Sequence, residues 1–521
     1  MTEIAELFYP AIRWDATHGY ESQRASIEEA LKLGVGGFIL FGGPSEHVAS
    51  LTEDLHSKSR VALLIGADLE RGAGQQFAGQ TALPPLAAIA SLEDLQSIRR
   101  SAAVTAIEAR SLGINWIYAP DADIDVEPNN PIIGTRSFGS DPEKVAEYAA
   151  AWIDACQAEG VLACAKHFPG HGRTTVDSHK ETPRVEESAD TLRQTDLVPF
   201  RRAIERGVAS IMSAHVAFPA FDPTGAPATL SRPILTDLLR NELGFTGILV
   251  TDALIMEGVL AGGEGEAVVR ALYAGCDCLL YPTNLGESVQ AVQKAIDDKR
   301  LDAESIQHSL ERRRRWARWA ALSKETNRPT RDESGWSSQI AERVVHMVSD
   351  RLPHLPQPWH LTVVDDDIGG PYPAPSRDPL ISSLRAGGID LVLDADAPLD
   401  DSGSTVIALF GDIRAWKGRP GYSAAAKEAV QTALTRSTRS DRLIVAFSHP
   451  RLTDELEVDA PILCAWGGEA VMQRAAARVL LREVAAARTE RRIGDMKVAP
   501  ERGCFRSDVP RWHERIGAST S

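Results

Sequence analysis

SRPILTDLLRNELGFTGILVTDA (231–253) holds one complete repeat of the architecture this sequence encodes. Its first part reads as an amphipathic helix, with Ser231 ahead of Pro233 at the start and Gly244 just past the last turn. Its second part, TGILVTDA (246–253), is a short apolar run that ends on an acid, Asp252. The same alternation extends in both directions. Apolar runs recur at LFYPAI (7–12), GGFILFGG (36–43), VALLIGAD (61–68), INWIYAPD (114–121), VLACAKHF (161–168), ASIMSAHV (209–216) and CDCLLYP (276–282). Amphipathic stretches such as DPEKVAEYAAAWIDACQAEG (141–160) lie between them. Strand–helix alternation calls for parallel strands, and about eight strands in about 300 residues predict a (β/α)₈ TIM barrel rather than an open sheet. Polar residues close several runs: Asp68, Asp121, Lys166 with His167, His215 and Asp252. A barrel brings all those ends to one face, where barrel enzymes place their active sites.

The chain has 521 residues, enough for that barrel and one further domain. The barrel is expected over 1–322 and a polar linker, SKETNRPTRDESG, over 323–335. A smaller α/β sandwich domain is expected over 336–495, followed by a tail over 496–521. That second domain opens with a helix predicted at 337–350 and then shows LTVVD (361–365), DLVLDA (390–395), TVIALFG (405–411), RLIVAFS (442–448) and PILCAW (461–466). It contains neither G-x-G-x-x-G nor a Walker A sequence, so no nucleotide and no cofactor is expected. In DAESIQHSLERRRRWARWAAL (302–322), Arg312–Arg315 reads as a solvated helix face, with Trp316 and Trp319 packed inward.

A formal net charge of −16 disfavours nucleic acid and anionic membrane surfaces as partners. MTEIAELFYPAIRW lacks a basic region followed by a long apolar one, so a cytoplasmic location is expected. Six scattered cysteines read as buried reduced thiols, and Cys276-Asp277-Cys278 lacks a second ligand pair at zinc-site spacing. The oligomeric state is not legible.

The densest chemistry lies in KHFPGHG (166–172) and DSH (177–179). Three histidines, a lysine and an aspartate fall within 14 residues of a chain that has only 13 histidines. His171, Asp177 and His179 are metal-ligand types, but Lys166 beside them would repel a cation, so no metal is expected.

These motifs resemble, in order, glycoside hydrolase family 3, and specifically its bacterial β-N-acetylglucosaminidase branch. The resemblance runs through Asp68-Leu69-Glu70, APDADIDVEPNNPIIGTRSFG (119–139), KHFPGHG, DSH, MSAHVAFPAFD (212–222), LLRNELGFTGILVTDALIM (238–256) and AVVRALYAGCDCLLYP (267–282). It continues more weakly into SHPRLTDEL (448–455) and AWGGEAVMQRAA (465–476). It implies a retaining exo-acting enzyme that removes terminal β-linked N-acetylglucosamine, from peptidoglycan fragments or chitooligosaccharides. Asp252 would be the nucleophile that forms a glycosyl-enzyme ester. His179, oriented by Asp177, would be the acid/base, as an imidazole whose usual pKa of about 6.5 suits both roles near neutrality. Asp68, Arg136, Lys166 and His167 would hold the sugar hydroxyls, with His215 at a matching strand end.

One departure stands out. The branch usually reads D-x-E-G-G-R-V-x-R where this chain reads Asp68-Leu69-Glu70-Arg71-Gly72-Ala73-Gly74-Gln75-Gln76. Ala73 and Gln76 replace both arginines, and Arg71 stands where a glycine is usual. Either Arg71 supplies a guanidinium to the sugar from a shifted position, or one sugar contact is missing. Phosphorolysis, another β-glycosidase specificity and a non-catalytic sugar-binding protein are the competing readings. Joint retention of Asp252, Asp177 and His179 argues against the last.

Overall fold

A computed structural model describes residues 3–176, 182–256, 262–322, 332–348, 351–367, 375–393, 403–413, 417–436 and 441–495. The first strand of the barrel is split at Pro10 into β1 (Phe8–Tyr9) and β2 (Ala11–Arg13). β3 (Gly37–Phe41), β4 (Leu64–Ala67), β5 (Trp116–Ile117), β6 (Leu162–Phe168), β7 (Ser210–Ser213) and β8 (Ile248–Thr251) follow in register beside β2, all parallel. β9 (Leu279–Leu280) closes the ring. It pairs in parallel with β1 and is bridged to β8 through Val250 and Cys278. With β1 and β2 counted as one strand, that is an eight-stranded parallel barrel. The helix predicted at 231–244 forms over Pro233–Glu242, wound in the wider π form.

Side chains alternate across the barrel wall with the two-residue period of a strand. Ile39, Leu64, Leu162, Cys164, Ile248 and Val250 point into one cluster inside, while Phe38, Leu40, Ile65, Ala163 and Leu249 pack outward under the helices. Three interlocked aromatics fill the interior. Trp116 stands edge-on to Tyr9 (5.4 Å between ring centres) and to Tyr118 (5.0 Å), and its indole N–H donates to Ser210 at 2.7 Å. The lower barrel is thus a plug, and only the strand C-terminal ends are available for chemistry.

The arginine run corrects the expectation of a solvated face. Arg313 is 1 % exposed and donates to Glu6 (3.0 Å) and to the carbonyls of Gly36 (2.6 Å) and Ala62. Arg314 also binds Glu6, and Arg312 binds the buried carboxylate of Asp277 at 2.8 Å. The reason lies at the barrel floor, where strand N-termini leave carbonyls and two buried acids needing donors. The helix Ala303–Leu322 supplies them. Trp316 and Trp319 pack against the interior cluster as predicted. All five described cysteines are buried and free of disulfides.

The second domain is a six-stranded sheet in the order β10-β15-β14-β13-β11-β12. β11 (Trp359–Asp365), β12 (Leu391–Leu393), β13 (Ser404–Phe410), β14 (Arg442–Phe447) and β15 (Ile462–Cys464) are parallel. The helix predicted at 337–350 spans Ser334–Val344, and the chain then becomes the antiparallel edge strand β10 (His346–Met347). β-branched Val344 and Val345 suit that change, because the open edge of β15 offers backbone partners. This sheet directs its own strand ends at the barrel mouth. Asp412, after β13, meets Arg71 and Thr135, and His449 and Arg451, after β14, meet Asp125.

Candidate active site

At the barrel mouth, charges of alternating sign form one connected chain. Lys166, near the end of β6, lies 2.8 Å from Asp68 after β4 and 2.7 Å from Glu70 two residues on. Glu70 accepts two parallel bonds from Arg136, at 3.0 and 2.9 Å, the fork geometry that fixes a guanidinium in both position and plane. Arg136 then lies 3.6 Å from Asp121. Burial would raise the Glu70 pKa, yet the charges of Arg136 and Lys166 outweigh it and hold the carboxyl well below its usual range. Burial also works against the charge on Lys166, but Asp68 and Glu70 raise its pKa overall. Both cations and Glu70 are therefore charged throughout the neutral range.

A second carboxylate organises the KHFPGHG loop. Asp123 accepts from the backbone N–H of His167 (3.2 Å), from that of His171 (2.6 Å) and from His167 Nδ1 (2.8 Å). Gly172 lets the loop lie directly on the chain after β5, since a Cβ there would come within 1.7 Å of the Ile124 carbonyl oxygen. Burial, followed by the charge of Arg136, pushes His167 down to about 4, so the imidazole is neutral at pH 7. With its Nδ1–H given to Asp123, Nε2 is the acceptor, and Arg136 Nη2 lies 3.4 Å from it. Burial, with the Asp123 charge next, pushes Asp121 up to about 8, and burial pushes Asp123 up to about 7.

Asp121, Asp123 and His167 place one ligand atom each within 4.8 Å of one another. Their donor set does not fit a metal ion. Asp123 already serves two backbone N–H groups and an imidazole, and the Arg136 guanidinium occupies the approach to Asp121.

Asp252 follows β8, half-buried, and its Oδ1 accepts from the N–H of Ala253 at 2.7 Å. His215, after β7, is fully buried. Its Nδ1 lies 2.8 Å from the Thr229 hydroxyl and its Nε2 3.1 Å from the Ala253 carbonyl. The strand end that carries Asp252 is thus held from below.

The profile of the glycosyl hydrolase family 3 N-terminal domain matches residues 2–315, well over half of the chain. The chain belongs to glycosyl hydrolase family 3. This family 3 glycoside hydrolase is 32% identical, over 443 residues, to a β-N-acetylglucosaminidase/β-glucosidase of Cellulomonas fimi, a match that covers 79% of this chain and 76% of the relative. It is 35% identical to a β-hexosaminidase of Nitrosomonas eutropha over 59% of this chain and 92% of that one. Among solved structures, the family 3 β-N-acetylglucosaminidase of Paenibacillus sp. str. FPU-7 superposes with a TM-score of 0.80 at 26% identity, covering 92% of this chain and 96% of that one.

In this family 3 enzyme, Asp68, Arg136, Lys166 and His167 meet at one mouth, as the sequence suggested, with Asp252 at the end of a further strand. Arg71 and His215 are placed elsewhere. Arg71 turns away from the Glu70–Arg136 pair towards Thr135, Asp412 and Glu469, because Asp412 and Glu469 supply its counter-charges and Thr135 a further acceptor. His215 lies beneath the mouth with both ring nitrogens engaged. Asp177 and His179 lie outside the described residues. Sequence reasoning passed over Glu70, Asp123 and Thr135. A signal was present for the first two, acids spaced two apart from Asp68 and Asp121, while nothing in the sequence marked Thr135.

Proposed function

We propose that this hydrolase is a retaining, exo-acting β-N-acetylglucosaminidase. Asp252 attacks the anomeric carbon and forms a glycosyl-enzyme ester, and His179, oriented by Asp177, protonates the leaving oxygen and then deprotonates the attacking water. Asp68, Lys166, Arg136 and His167 hold the hydroxyls of the terminal sugar. The observation that carries this reading is the Asp68–Lys166–Glu70–Arg136 chain at the same mouth as Asp252. It offers fixed donors and acceptors to vicinal hydroxyls and brings no net excess of positive charge. A neutral His167 suits the same task, because its Nε2, held only by a long 3.4 Å contact from Arg136, can accept a hydrogen bond from a hydroxyl without adding charge. The names of the relatives support N-acetylglucosamine as the sugar, and the double name of the Cellulomonas fimi enzyme makes a glucoside the natural comparison. Wall fragments and chitooligosaccharides are the substrate classes that present such a terminus.

A fluorinated N-acetylglucosaminyl donor tests the mechanism, with the expectation that peptide mapping finds the label on Asp252. Label on any other carboxylate removes that assignment. Turnover without label points instead to attack by the substrate's own 2-acetamido group. A panel of nitrophenyl glycosides, run with and without phosphate, tests the substrate. Faster cleavage of the glucoside than of the N-acetylglucosaminide overturns the sugar, N-acetylglucosamine 1-phosphate as main product overturns hydrolysis, and sugar binding with no turnover on any member overturns catalysis.

A further inference from the structure

We infer that the second domain positions the sugar-binding arginine through an ionic ladder between two barrel loops, and that Arg71, Thr135 and Asp412 are positioning residues of this site. The inference rests on the reading above that Arg136 holds the sugar. Two pairs of consecutive residues face each other across the mouth. Glu70 bonds Arg136 by the two-pronged contact at 3.0 and 2.9 Å. The neighbouring residue in each loop, Arg71 after Glu70 and Thr135 before Arg136, forms a second rung, in which Arg71 Nη2 donates to Thr135 Oγ1 at 3.0 Å. The first rung faces the pocket and the second faces the other domain. There Thr135 Oγ1 donates to Asp412 Oδ1 at 3.2 Å, and Arg71 Nη1 donates to Asp412 Oδ2 at 3.2 Å and to Glu469.

The far end of the ladder is itself fixed. The Asp412 N–H donates to Asp367 at 2.7 Å, and Asp367 is paired with Arg377 at 3.0 Å. Thr135 is fully buried, and Asp412 and Arg71 are 4 % and 9 % exposed, so water does not loosen the rung. One residue earlier, Gly134 (φ +42°) packs against Ile413, where a Cβ would come within 2.3 Å of its Cδ1. Three consecutive barrel residues therefore carry the coupling. Gly134 touches the second domain, Thr135 bonds it, and Arg136 reaches into the pocket. A shift of the second domain moves the Arg136 backbone directly.

Thr135→Val, Asp412→Asn and Arg71→Lys test this on whichever β-glycoside the wild type cleaves, so the result does not depend on the sugar being N-acetylglucosamine. Thr135→Val is isosteric and folds even if the charge variants do not. Each variant is expected to raise KM roughly tenfold with kcat within about threefold, the size of a coupling carried through neighbouring contacts. The Thr135→Val/Asp412→Asn double variant should be no worse than the poorer single one. Ser337→Ala is the control, since it removes a separate contact to the barrel at the Ala82 carbonyl and should leave KM unchanged. A lowered melting temperature with unchanged KM in the ladder variants would reduce the rung to domain adhesion. An equal rise in KM for Ser337→Ala would replace the ladder with general looseness of the interface. Should the wild type cleave no glycoside, the proposed function fails by itself. Calorimetric Kd values for free N-acetylglucosamine across the same variants then decide the ladder, with tenfold weakening supporting it and unchanged Kd overturning it.

Discussion

Glu70→Gln should damage both stability and catalysis, although Glu70 is 7 % exposed and lies behind the groups proposed to meet the sugar. The substitution keeps the shape and removes one charge from a site where that charge serves two cations, Arg136 at 2.9 Å and Lys166 at 2.7 Å. Removing one partner of a buried ion pair costs about 3–5 kcal/mol, because the other is left uncompensated. The lower end applies here. Lys166 keeps Asp68 at 2.8 Å, and Asp121, protonated at neutral pH in the intact site, lies 3.6 Å from Arg136 and can ionise to answer its charge. With an unfolding entropy of ~2.1 cal/mol/K per residue, a loss of about 3 kcal/mol lowers the melting temperature of a barrel this size by roughly 4–5 °C. The amide can accept one bond from Arg136 but not the fork, so the guanidinium is free to tilt. A misplacement of about 1 Å in a substrate-holding group costs on the order of 100-fold in kcat/KM. The assay is calorimetric melting beside steady-state kinetics, with Arg136→Met and the Glu70→Gln/Arg136→Met double variant completing a cycle. The double variant should recover about 2 kcal/mol relative to the sum of the singles, within the range seen for contacting pairs. If Glu70→Gln melts within about 2 °C of wild type and keeps kcat/KM within about threefold, the alternating chain does not organise this site.

Three further outcomes follow from the same geometry. Asp121 holds its proton up to about pH 8 when folded but loses it near pH 4 when unfolded, so its contribution to stability falls as pH rises between those values. Asp121→Asn should flatten the decline of melting temperature over pH 5–8, and an unchanged slope would show that Asp121 is ionised in the native state. Asp123→Asn turns an acceptor of three N–H groups into one that must also donate, which disfavours the Nδ1–H tautomer of His167. The expected results are an Nε2–H signal by nitrogen NMR and a fall of about 100-fold in kcat/KM. Arg313→Leu removes a donor from Glu6 and from the Gly36 and Ala62 carbonyls at the barrel floor; because Arg314 still holds Glu6, it should cost about 3 kcal/mol, the low end for a buried ion pair, by chemical denaturation. At low temperature kcat should be unchanged, because the floor lies at the opposite end of the barrel from the mouth.

The barrel was legible because its signal is repeated. Short apolar runs such as GGFILFGG and TGILVTDA can only be strands of one parallel ring when helices separate them and polar residues cap the same end of each. The position of the residues proposed to hold the sugar was legible for the same reason, since Asp68, Lys166 and His167 each sit at a strand end. The arginine run was misread because periodicity reports which face of a helix is polar, not whether that face meets water or buried acids. Arg312, Arg313 and Arg314 answer Asp277 and Glu6, the latter more than 300 residues away in sequence. Arg71 was beyond reach for a related reason. Its partners Asp412 and Glu469 belong to another domain, and nothing local to Glu70-Arg71-Gly72 announces them.

Under the proposed mechanism, the charge balance at the mouth bears on which acceptor takes the sugar from Asp252. Glycosyl transfer proceeds through a transition state with positive charge on the ring, which carboxylates around the pocket stabilise and free cations would oppose. Lys166 and Arg136, the two cations proposed to hold the sugar, are both committed to Glu70, and Lys166 also to Asp68. His167 adds none, because burial keeps it neutral. An incoming phosphate would have to draw one of these cations away from a buried carboxylate, at a cost comparable to that of Glu70→Gln. Water makes no such demand. It needs an acceptor for one proton, the role proposed for His179, so the electrostatics around the proposed sugar site favour hydrolysis over phosphorolysis.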